Sequence, residues 1–137
     1  MEKKLKKISK KVNFFLNSYL SKYRSSELIK PMKYGLFPGG KKIRSKIIFD
    51  VGKIFNINNK DLTILAASVE AIHAYSLIHD DLPCMDDDKL RRGKASTHVK
   101  FGESTAILAG NSLLTTAFEI LSDKNFNVDN KIKSRLV

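Results

Sequence analysis

Apolar residues recur every three or four positions along most of the chain, and this spacing predicts a protein built of α-helices. Residues 3–24 predict a helix with lysines on one face and apolar residues on the other. The apolar residues are Val12, Phe14, Phe15, Leu16, Tyr19 and Leu20. A second strongly apolar stretch, residues 105–122, predicts the last long helix, between a polar loop (82–104) and a polar tail (123–137). Strand-like alternation is weak, so we expect an all-α fold and a single domain over residues 1–137.

Proline, glycine and asparagine divide the pattern into separate helices. Pro31 opens a second helical region, and the run Leu-Phe-Pro-Gly-Gly at residues 36–40 interrupts it. The helix expected directly after this break has as its apolar positions Ile43, Ile47, Ile48 and Val51. Residues 56–59, Asn-Ile-Asn-Asn, predict a turn, and Asp61 is the expected N-cap of the next helix.

The helix expected over residues 61–80 carries polar side chains beside its apolar stripe. The stripe, taken at helical spacing, consists of Leu62, Leu65, Ala66, Val69, Ile72, Ser76 and Leu77. His73 and Asp80 lie on or next to it, seven residues and therefore roughly 10 Å apart along the helix axis. Because burying a polar group without a partner costs free energy, these two side chains are candidates for a functional site.

Five aspartates crowd into nine positions at the end of this helix: Asp80, Asp81, Asp86, Asp87 and Asp88. Carboxylates this close repel one another unless a cation compensates, and Mg²⁺ prefers one or two carboxylates together with phosphate oxygens. On an unbroken helix Asp80 and Asp86 would point about 240° apart. Pro83 cannot continue the helical hydrogen bonding, so we expect a break that returns Asp86 to the side of Asp80. The alternative is a solvated acidic loop.

Basic residues near both the acidic cluster and the glycine pair suit phosphate groups. Arg91 and Arg92 directly follow the aspartates, and guanidinium groups bind phosphate oxygens through two parallel hydrogen bonds. In Gly-Gly-Lys-Lys-Ile-Arg the glycines precede a helix start, and Lys41 and Arg44, three residues apart, are expected on one helix face. With His73 they would hold a second anion. An ordinary turn into a basic helix is the alternative, because the P-loop spacing is absent.

Charge and hydropathy narrow the partners only slightly. The net charge of +11 fits nucleic acid, an anionic membrane surface or a phosphate-bearing small molecule. Unbroken apolar stretches are only a few residues long, far short of the ~20 that cross a bilayer. No apolar segment of the signal-peptide type follows the basic N-terminus. We therefore expect a cytoplasmic protein with no membrane partner.

Three blocks of sequence resemble the trans-prenyltransferase family of polyprenyl synthases, and within it the bacterial farnesyl and geranylgeranyl diphosphate synthases. They are GGKKIR (39–44), EAIHAYSLIHDDLPCMDDDKLRRG (70–93) and HVKFGESTAILAGNSL (98–113). The resemblance runs over residues 30–122. It implies the N-terminal half of an isoprenoid-synthase-type helical bundle. The implied reaction is a Mg²⁺-dependent condensation of isopentenyl diphosphate with an allylic diphosphate, dimethylallyl or geranyl, to farnesyl or geranylgeranyl diphosphate.

The resemblance also implies roles for single residues. The implied magnesium ligands are Asp80, Asp81 and Asp86, with Asp81 in support. Arg91 would hold the allylic diphosphate, so the catalytic set is Asp80, Asp86 and Arg91. The residues implied to hold isopentenyl diphosphate are Lys41, Arg44, His73 and Arg92. Tyr75, five residues before Asp80, would limit product length, and its ring favours a fifteen-carbon product.

The second aspartate-rich motif of the family has no counterpart here. After Asp88 the acidic residues are Glu103, Glu119, Asp123 and Asp129, and no two of them are adjacent. Family members are also usually about twice as long and commonly homodimers. We therefore expect this chain to be an N-terminal half that is not a competent synthase alone, and an inactive or regulatory half-domain is one alternative.

Two other classes of protein are alternatives to the prenyltransferase. A metal-dependent phosphohydrolase would use the pair His79-Asp80, but only His73 and His98 remain as further histidines, at positions that do not match. A basic helical nucleic-acid-binding module would explain the net charge. No aromatic platform is interleaved with the basic residues, however, and the acidic cluster would repel phosphate. We therefore expect no nucleic-acid partner.

Overall fold

The computed structural model describes residues 2–137, and helices account for most of them. The α-helices are α1 (Glu2–Leu20), α2 (Ile29–Leu36), α3 (Ile43–Ile54), α4 (Asn59–Asp80), α5 (Thr97–Phe101), α6 (Glu103–Ser122) and α7 (Asn130–Leu136). A 3₁₀ turn (Ser21–Tyr23) follows α1. The strands β1 (Leu90–Arg91) and β2 (Lys94–Ala95) pair antiparallel, with Leu90 opposite Ala95. The predicted all-α fold is confirmed apart from this small hairpin.

Helix α4 lies at the centre of the packing and contacts α1, α2, α3 and α6. Its most extensive contact is with α6, where small residues line both helices: Ala67, Ala71, Ala74, Ala106, Ala109, Gly110 and Ala117. The Ser68 hydroxyl donates a hydrogen bond to the Ala117 carbonyl at 3.0 Å, directly across this contact. Small side chains allow the two helix backbones to approach closely, so α6 fixes the position of α4.

The buried face of α4 differs from the predicted stripe. Leu62 and Ala66 are buried as expected, but Ile72, Ser76 and Leu77 are only half-buried, as are Leu65 and Val69. The core-facing positions are Leu62, Ile64, Ala66, Ala67, Ser68, Glu70, Ala71, Ala74 and Ile78. The prediction gave weight to large apolar side chains, whereas close helix packing selects small ones. The half-buried apolar residues therefore face the side of α4 that carries His73 and Asp80.

The start of α4 was also assigned wrongly. The helix begins at Asn59, and its N-cap is Asn58, whose side chain accepts a hydrogen bond from the Asp61 backbone N–H at 2.9 Å. Asp61 is instead a buried residue of the first turn. Its carboxylate accepts a hydrogen bond from the Asn127 backbone N–H at 3.0 Å, which ties the segment after α6 to the start of α4.

Helix α3 begins close to the expected position but buries a different face. Ile43, Ile47 and Val51 are each about half exposed, and the buried positions are Ser45, Phe49 and Gly52. The reason is again close approach: a Cβ added to Gly52 would lie 2.1 Å from Cδ2 of Leu62 on α4. Gly52 of α3 therefore lies against α4 and Phe49 is buried in the core, while Ile43, Ile47 and Val51 face outward.

The remaining boundaries shift by smaller amounts. The first helix ends at Leu20 rather than at residue 24, and the last long helix begins at Glu103 rather than at residue 105. The segment 82–104 is not an unbroken loop, since it contains the β-hairpin and α5, and the tail contains α7. Short elements of two to seven residues have too few positions to show a periodic pattern.

Among the described helices, α4 has the length and mean hydropathy that would allow it to cross a membrane. The sequence analysis missed this because it counted only uninterrupted apolar runs. More than half of the relevant window, 56%, is buried inside the fold. A core helix meets the same criteria, so this feature is weak evidence for a membrane span.

Candidate functional site

The C-terminal end of α4 turns back on itself, as Pro83 predicted. The helix ends at Asp80, and residues 81–86 form consecutive turns. The Asp86 backbone N–H donates a hydrogen bond to the Asp80 carbonyl at 2.8 Å. The Leu82 carbonyl accepts hydrogen bonds from the backbones of Met85 and Asp87. The expected helix break is confirmed, and it places the backbones of Asp80 and Asp86 next to each other.

Asp81, the first residue of the same turn, has its side chain buried in the protein. It is only 2% exposed, and the Arg91 guanidinium binds its carboxylate through Nε, at 2.9 and 2.8 Å from the two oxygens, and through Nη2. These hydrogen bonds raise the pKa of Arg91 above its ordinary value. Arg91 lies on β1, so this ion pair attaches the hairpin to the end of α4.

The carboxylates of the turn do not gather into a three-ligand cluster. Over residues 2–137, no group of three Asp, Glu, His or Cys side chains is placed to hold a metal ion. Asp81 is engaged by Arg91, which leaves Asp80 and Asp86, whose backbones are hydrogen-bonded to each other. Two carboxylates completed by phosphate oxygens are an ordinary donor set for Mg²⁺. Asp80 and Asp86 supply oxygen donors of this kind, and the site at Asp80, Asp81 and Asp86 stays a prediction.

A cleft of about 110 Å³ lies between the glycine loop, the start of α3 and the middle of α4. It is lined by all four residues assigned from the sequence to isopentenyl diphosphate: Lys41, Arg44, His73 and Arg92. Arg44 Nη1 lies 3.3 Å from His73 Nε2. The reason given for pairing Lys41 with Arg44 was wrong, because Lys41 precedes α3 and shares no helix face with Arg44. The cleft nevertheless brings the four basic side chains together.

The electrostatic environment of the cleft keeps His73 neutral. Burial, and then the charge of Arg44, lower the pKa of His73 below its ordinary value. Lys42 and Arg92 act in the same direction, while Glu70 opposes them. The neutral imidazole is therefore favoured, and in the tautomer with an unprotonated Nε2 it accepts a hydrogen bond from Arg44.

The glycine loop is shaped to admit Arg92. The Arg92 guanidinium donates a hydrogen bond to the Gly39 carbonyl through Nη1. Gly40 has φ = +129°, and a Cβ at this position would lie 1.9 Å from Arg92 Nη1. Glycine is therefore favoured here by the backbone conformation, and any side chain at this position would displace the Arg92 guanidinium.

The sequence analysis did not single out Lys42 or Glu70, although both line this cleft. Lys42 Nζ lies 3.3 Å from a carboxylate oxygen of Glu70, and both side chains are almost fully buried. A signal was available in the sequence. Glu70 is the one acidic residue in the interior of an otherwise apolar and small-residue helix, and a carboxylate there requires a basic partner.

Tyr75 and His79 form a second contact on α4, away from the basic cleft. Their rings meet edge to face with centroids 4.6 Å apart. His79 Nε2 lies 3.1 Å from the Ile107 carbonyl on α6, and a Cβ on Gly110 would lie 2.4 Å from the same nitrogen. His79 is therefore a helix-packing residue, which argues against a phosphohydrolase site at His79-Asp80. The product-length role of Tyr75 stays a prediction.

Comparison with protein families and with curated proteins finds similarity to polyprenyl diphosphate synthases in both cases. The sequence model of the family "Polyprenyl synthetase" matches residues 25–134. Farnesyl diphosphate synthase from Buchnera aphidicola subsp. Acyrthosiphon pisum is 46% identical over 132 residues, which cover 96% of this chain and 46% of that protein. Farnesyl diphosphate synthase from Escherichia coli is 52% identical over 101 residues, which cover 74% of this chain and 34% of that protein.

Solved structures give the same result for the fold. A geranyltransferase from Legionella pneumophila aligns with a TM-score of 0.88 at 34% identity, over 97% of this chain and 47% of that one. An FPP/GFPP synthase from Zymomonas mobilis aligns with a TM-score of 0.85 at 33% identity, over 98% and 51%. The chain thus spans about half the length of these relatives and corresponds to their N-terminal part.

Proposed function

This chain belongs to the polyprenyl synthetase family, and we propose that it forms part of a prenyltransferase that joins isopentenyl diphosphate to an allylic diphosphate. The allylic substrate would be dimethylallyl or geranyl diphosphate, and the product farnesyl or geranylgeranyl diphosphate. The observation that carries this proposal is the basic cleft between α3 and α4. Its position on α4, about two helical turns from Asp80, suits two substrates bound side by side.

The basic cleft suits isopentenyl diphosphate. A diphosphate is a compact polyanion, and Lys41, Arg44 and Arg92 supply cationic N–H donors from three sides of the cleft. His73, kept neutral by its neighbours, adds a polar group at the same wall without adding charge. Arg44 contacts His73 and Arg92 contacts the Gly39 carbonyl before a ligand arrives, so binding requires little reorganisation of these two side chains.

The allylic diphosphate would bind at the end of α4, where Asp80 and Asp86 would hold Mg²⁺ and Arg91 would contact the phosphates. When bound, Mg²⁺ neutralises charge on the diphosphate leaving group. The C–O bond to the diphosphate breaks, and the isopentenyl double bond attacks the allylic carbon to form the new C–C bond. A proton is then lost to the released pyrophosphate. The contribution of this chain is to align the two substrates and to hold both diphosphates.

Two further features belong to the proposal. The ring of Tyr75, held against His79, would close the space available to the growing prenyl chain and favour a fifteen-carbon product. The reaction would take place in the cytoplasm, where both water-soluble diphosphates are accessible.

Calorimetric titration of this chain tests the two sites separately. Isopentenyl diphosphate should bind without metal, and Arg44→Ala should weaken that binding at least tenfold, because a bidentate charged donor is lost. Geranyl diphosphate should bind only when Mg²⁺ is present. Asp86→Asn should abolish this Mg²⁺-dependent binding. Arg24→Ala, an exposed arginine outside the cleft, and Asp87→Asn, at a left-handed position that asparagine tolerates, are the matched controls.

Several results would contradict the proposal. One is the absence of isopentenyl diphosphate binding, and another is binding that Arg44→Ala leaves unchanged. Tighter binding of duplex DNA than of either diphosphate, with a steep decrease as salt rises, would favour a nucleic-acid-binding module instead. Formation of farnesyl diphosphate by this chain alone would support the reaction and contradict the expectation that the chain is inactive by itself.

A further inference from the structure

Glu70 is a buried carboxylate at the wall of the basic cleft. Its side chain is only 4% exposed, in the middle of the central helix α4. Burial of a carboxylate is unfavourable unless hydrogen bonds and an opposite charge compensate. Its compensating partners belong to one short segment of chain, residues 42–45.

The contacts of Glu70 use both of its oxygens. One oxygen accepts hydrogen bonds from the Ser45 hydroxyl at 2.8 Å and from the Ser45 backbone N–H at 3.3 Å. The other lies 3.3 Å from Lys42 Nζ. Ser45 is fully buried and belongs to the first turn of α3, where backbone N–H groups have no partner within the helix. Glu70 therefore supplies a cap for α3 from a different helix.

Lys42 adopts an unusual backbone conformation beside this contact. Its φ and ψ are +50° and +49°, in the left-handed region that residues other than glycine adopt only at a cost in free energy. This conformation sets the direction in which the glycine loop enters α3. The ion pair with Glu70 offsets its cost, so the orientation of Lys41 and Arg44 depends on Glu70.

The same ion pair divides the two neighbouring lysines between different tasks. The Lys42 side chain is only 10% exposed, and its ammonium group is engaged by Glu70. Lys41 is exposed and lines the cleft. Glu70 thus directs one lysine into the protein and leaves the other for a ligand.

Glu70 also faces the polar group on the next turn of its own helix. His73 is surrounded by Arg44 and Lys42 from the start of α3, by Arg92 from the hairpin and by Glu70. Three of these groups are cationic, and Glu70 alone among them is anionic. Glu70 therefore moderates the positive field of the cleft as well as holding its wall.

We propose that Glu70 is a positioning residue for diphosphate binding: by holding Lys42 and Ser45 it fixes the glycine loop and α3 so that Lys41 and Arg44 face His73. The inference rests on the proposed function of the same cleft and adds to it a residue that does not touch the ligand.

The test compares Glu70→Gln with Glu27→Gln, which changes an exposed glutamate that does not line the cleft. Titration with isopentenyl diphosphate in the absence of metal, at a temperature where each variant is folded, should show about tenfold weaker binding for Glu70→Gln and no change for Glu27→Gln. In an NMR titration the His73 pKa should fall in Glu70→Gln only, because a nearby negative charge is removed.

Lys42→Met and the double variant Glu70→Gln with Lys42→Met complete a cycle. If the two residues act as a unit, the double variant should bind no more weakly than Glu70→Gln alone. Replacing both members of a buried ion pair costs far less stability than leaving one charge unpaired. If Glu70→Gln does not fold, the double variant replaces it in the binding measurement. The double variant should bind isopentenyl diphosphate more weakly than the unchanged chain.

The outcomes separate this inference from the proposed function. If the unchanged chain does not bind isopentenyl diphosphate, the proposed function fails. If it binds and Glu70→Gln, or the double variant in its place, binds equally well, Glu70 is a structural residue only and the inference is overturned. Tighter binding by Glu70→Gln would also overturn it, because Glu70 would then act only by repelling the ligand.

Discussion

Arg91→Ala is expected to lower the free energy of unfolding by about 3–5 kcal/mol. The reason is the carboxylate that it leaves behind. Asp81 is 2% exposed, and the hydrogen bonds to its carboxylate in the described structure all come from the Arg91 guanidinium. Without that group a charged side chain is buried without compensation, which costs more than the loss of the pair itself.

Urea unfolding, followed by circular dichroism, measures this effect. Arg24→Ala removes an exposed arginine and should change the free energy of unfolding by less than about 0.5 kcal/mol. Adding Asp81→Asn to Arg91→Ala should recover much of the loss, because the unpaired charge is then removed. A loss below about 1 kcal/mol for Arg91→Ala would show that water reaches Asp81 and that the pair does not hold the hairpin.

The Asp81–Arg91 pair also bears on how the acidic cluster works. Of the aspartates assigned to magnesium from the sequence, Asp81 is the one that the fold turns inward. Its contact fixes the guanidinium that would bind the allylic diphosphate. Asp81 can therefore contribute to that site by orienting Arg91, while Asp80 and Asp86 remain available for the metal.

Local sequence signals predicted the parts of this molecule that depend on local chemistry. Pro83 stops α4 because it lacks an N–H, and the return of Asp86 to Asp80 follows from that break. The glycine pair before α3 predicted a break in the helical pattern, and both glycines have positive φ. Each of these follows from a few neighbouring residues, so no knowledge of the tertiary structure was needed.

Features that depend on distant partners were missed. Glu70 is explained only by residues 42–45, about 25 positions earlier, which a reading of α4 alone does not reveal. The buried face of α4 was misjudged because alanine and serine carry little hydrophobic weight, although they are what close contact with α6 requires. Asp61 looked like an N-cap because its partner Asn127 lies in another part of the chain.

The contact between α3 and α4 gives the second large effect. Leu62 is 1% exposed and packs against Gly52. Leu62→Ala should lower the free energy of unfolding by about 2–5 kcal/mol, because it removes buried apolar surface and leaves a cavity. Urea unfolding measures the loss, and Leu136→Ala, which truncates a partly exposed leucine of α7, is the matched control with a much smaller expected effect.

The change in the free energy of unfolding caused by Gly52→Ala should have opposite signs in the unchanged chain and in the Leu62→Ala variant. In the unchanged chain the new Cβ would lie 2.1 Å from Leu62 Cδ2, and overpacking of this kind costs about 1–3 kcal/mol. That exceeds the gain of up to about 1 kcal/mol from replacing glycine with alanine within a helix. In the Leu62→Ala background the obstructing atom is absent, so the same substitution should be stabilising.

Equal destabilisation by Gly52→Ala in both backgrounds would mean that α3 and α4 do not meet through this pair. The distinction matters for the cleft, because α3 carries Arg44 and α4 carries His73, whose nitrogens lie 3.3 Å apart. A fold that depends on glycine at position 52 to bring the two helices together also depends on it to keep these two side chains within hydrogen-bonding distance. Isopentenyl diphosphate should therefore bind more weakly to Gly52→Ala and regain affinity when Leu62→Ala is added.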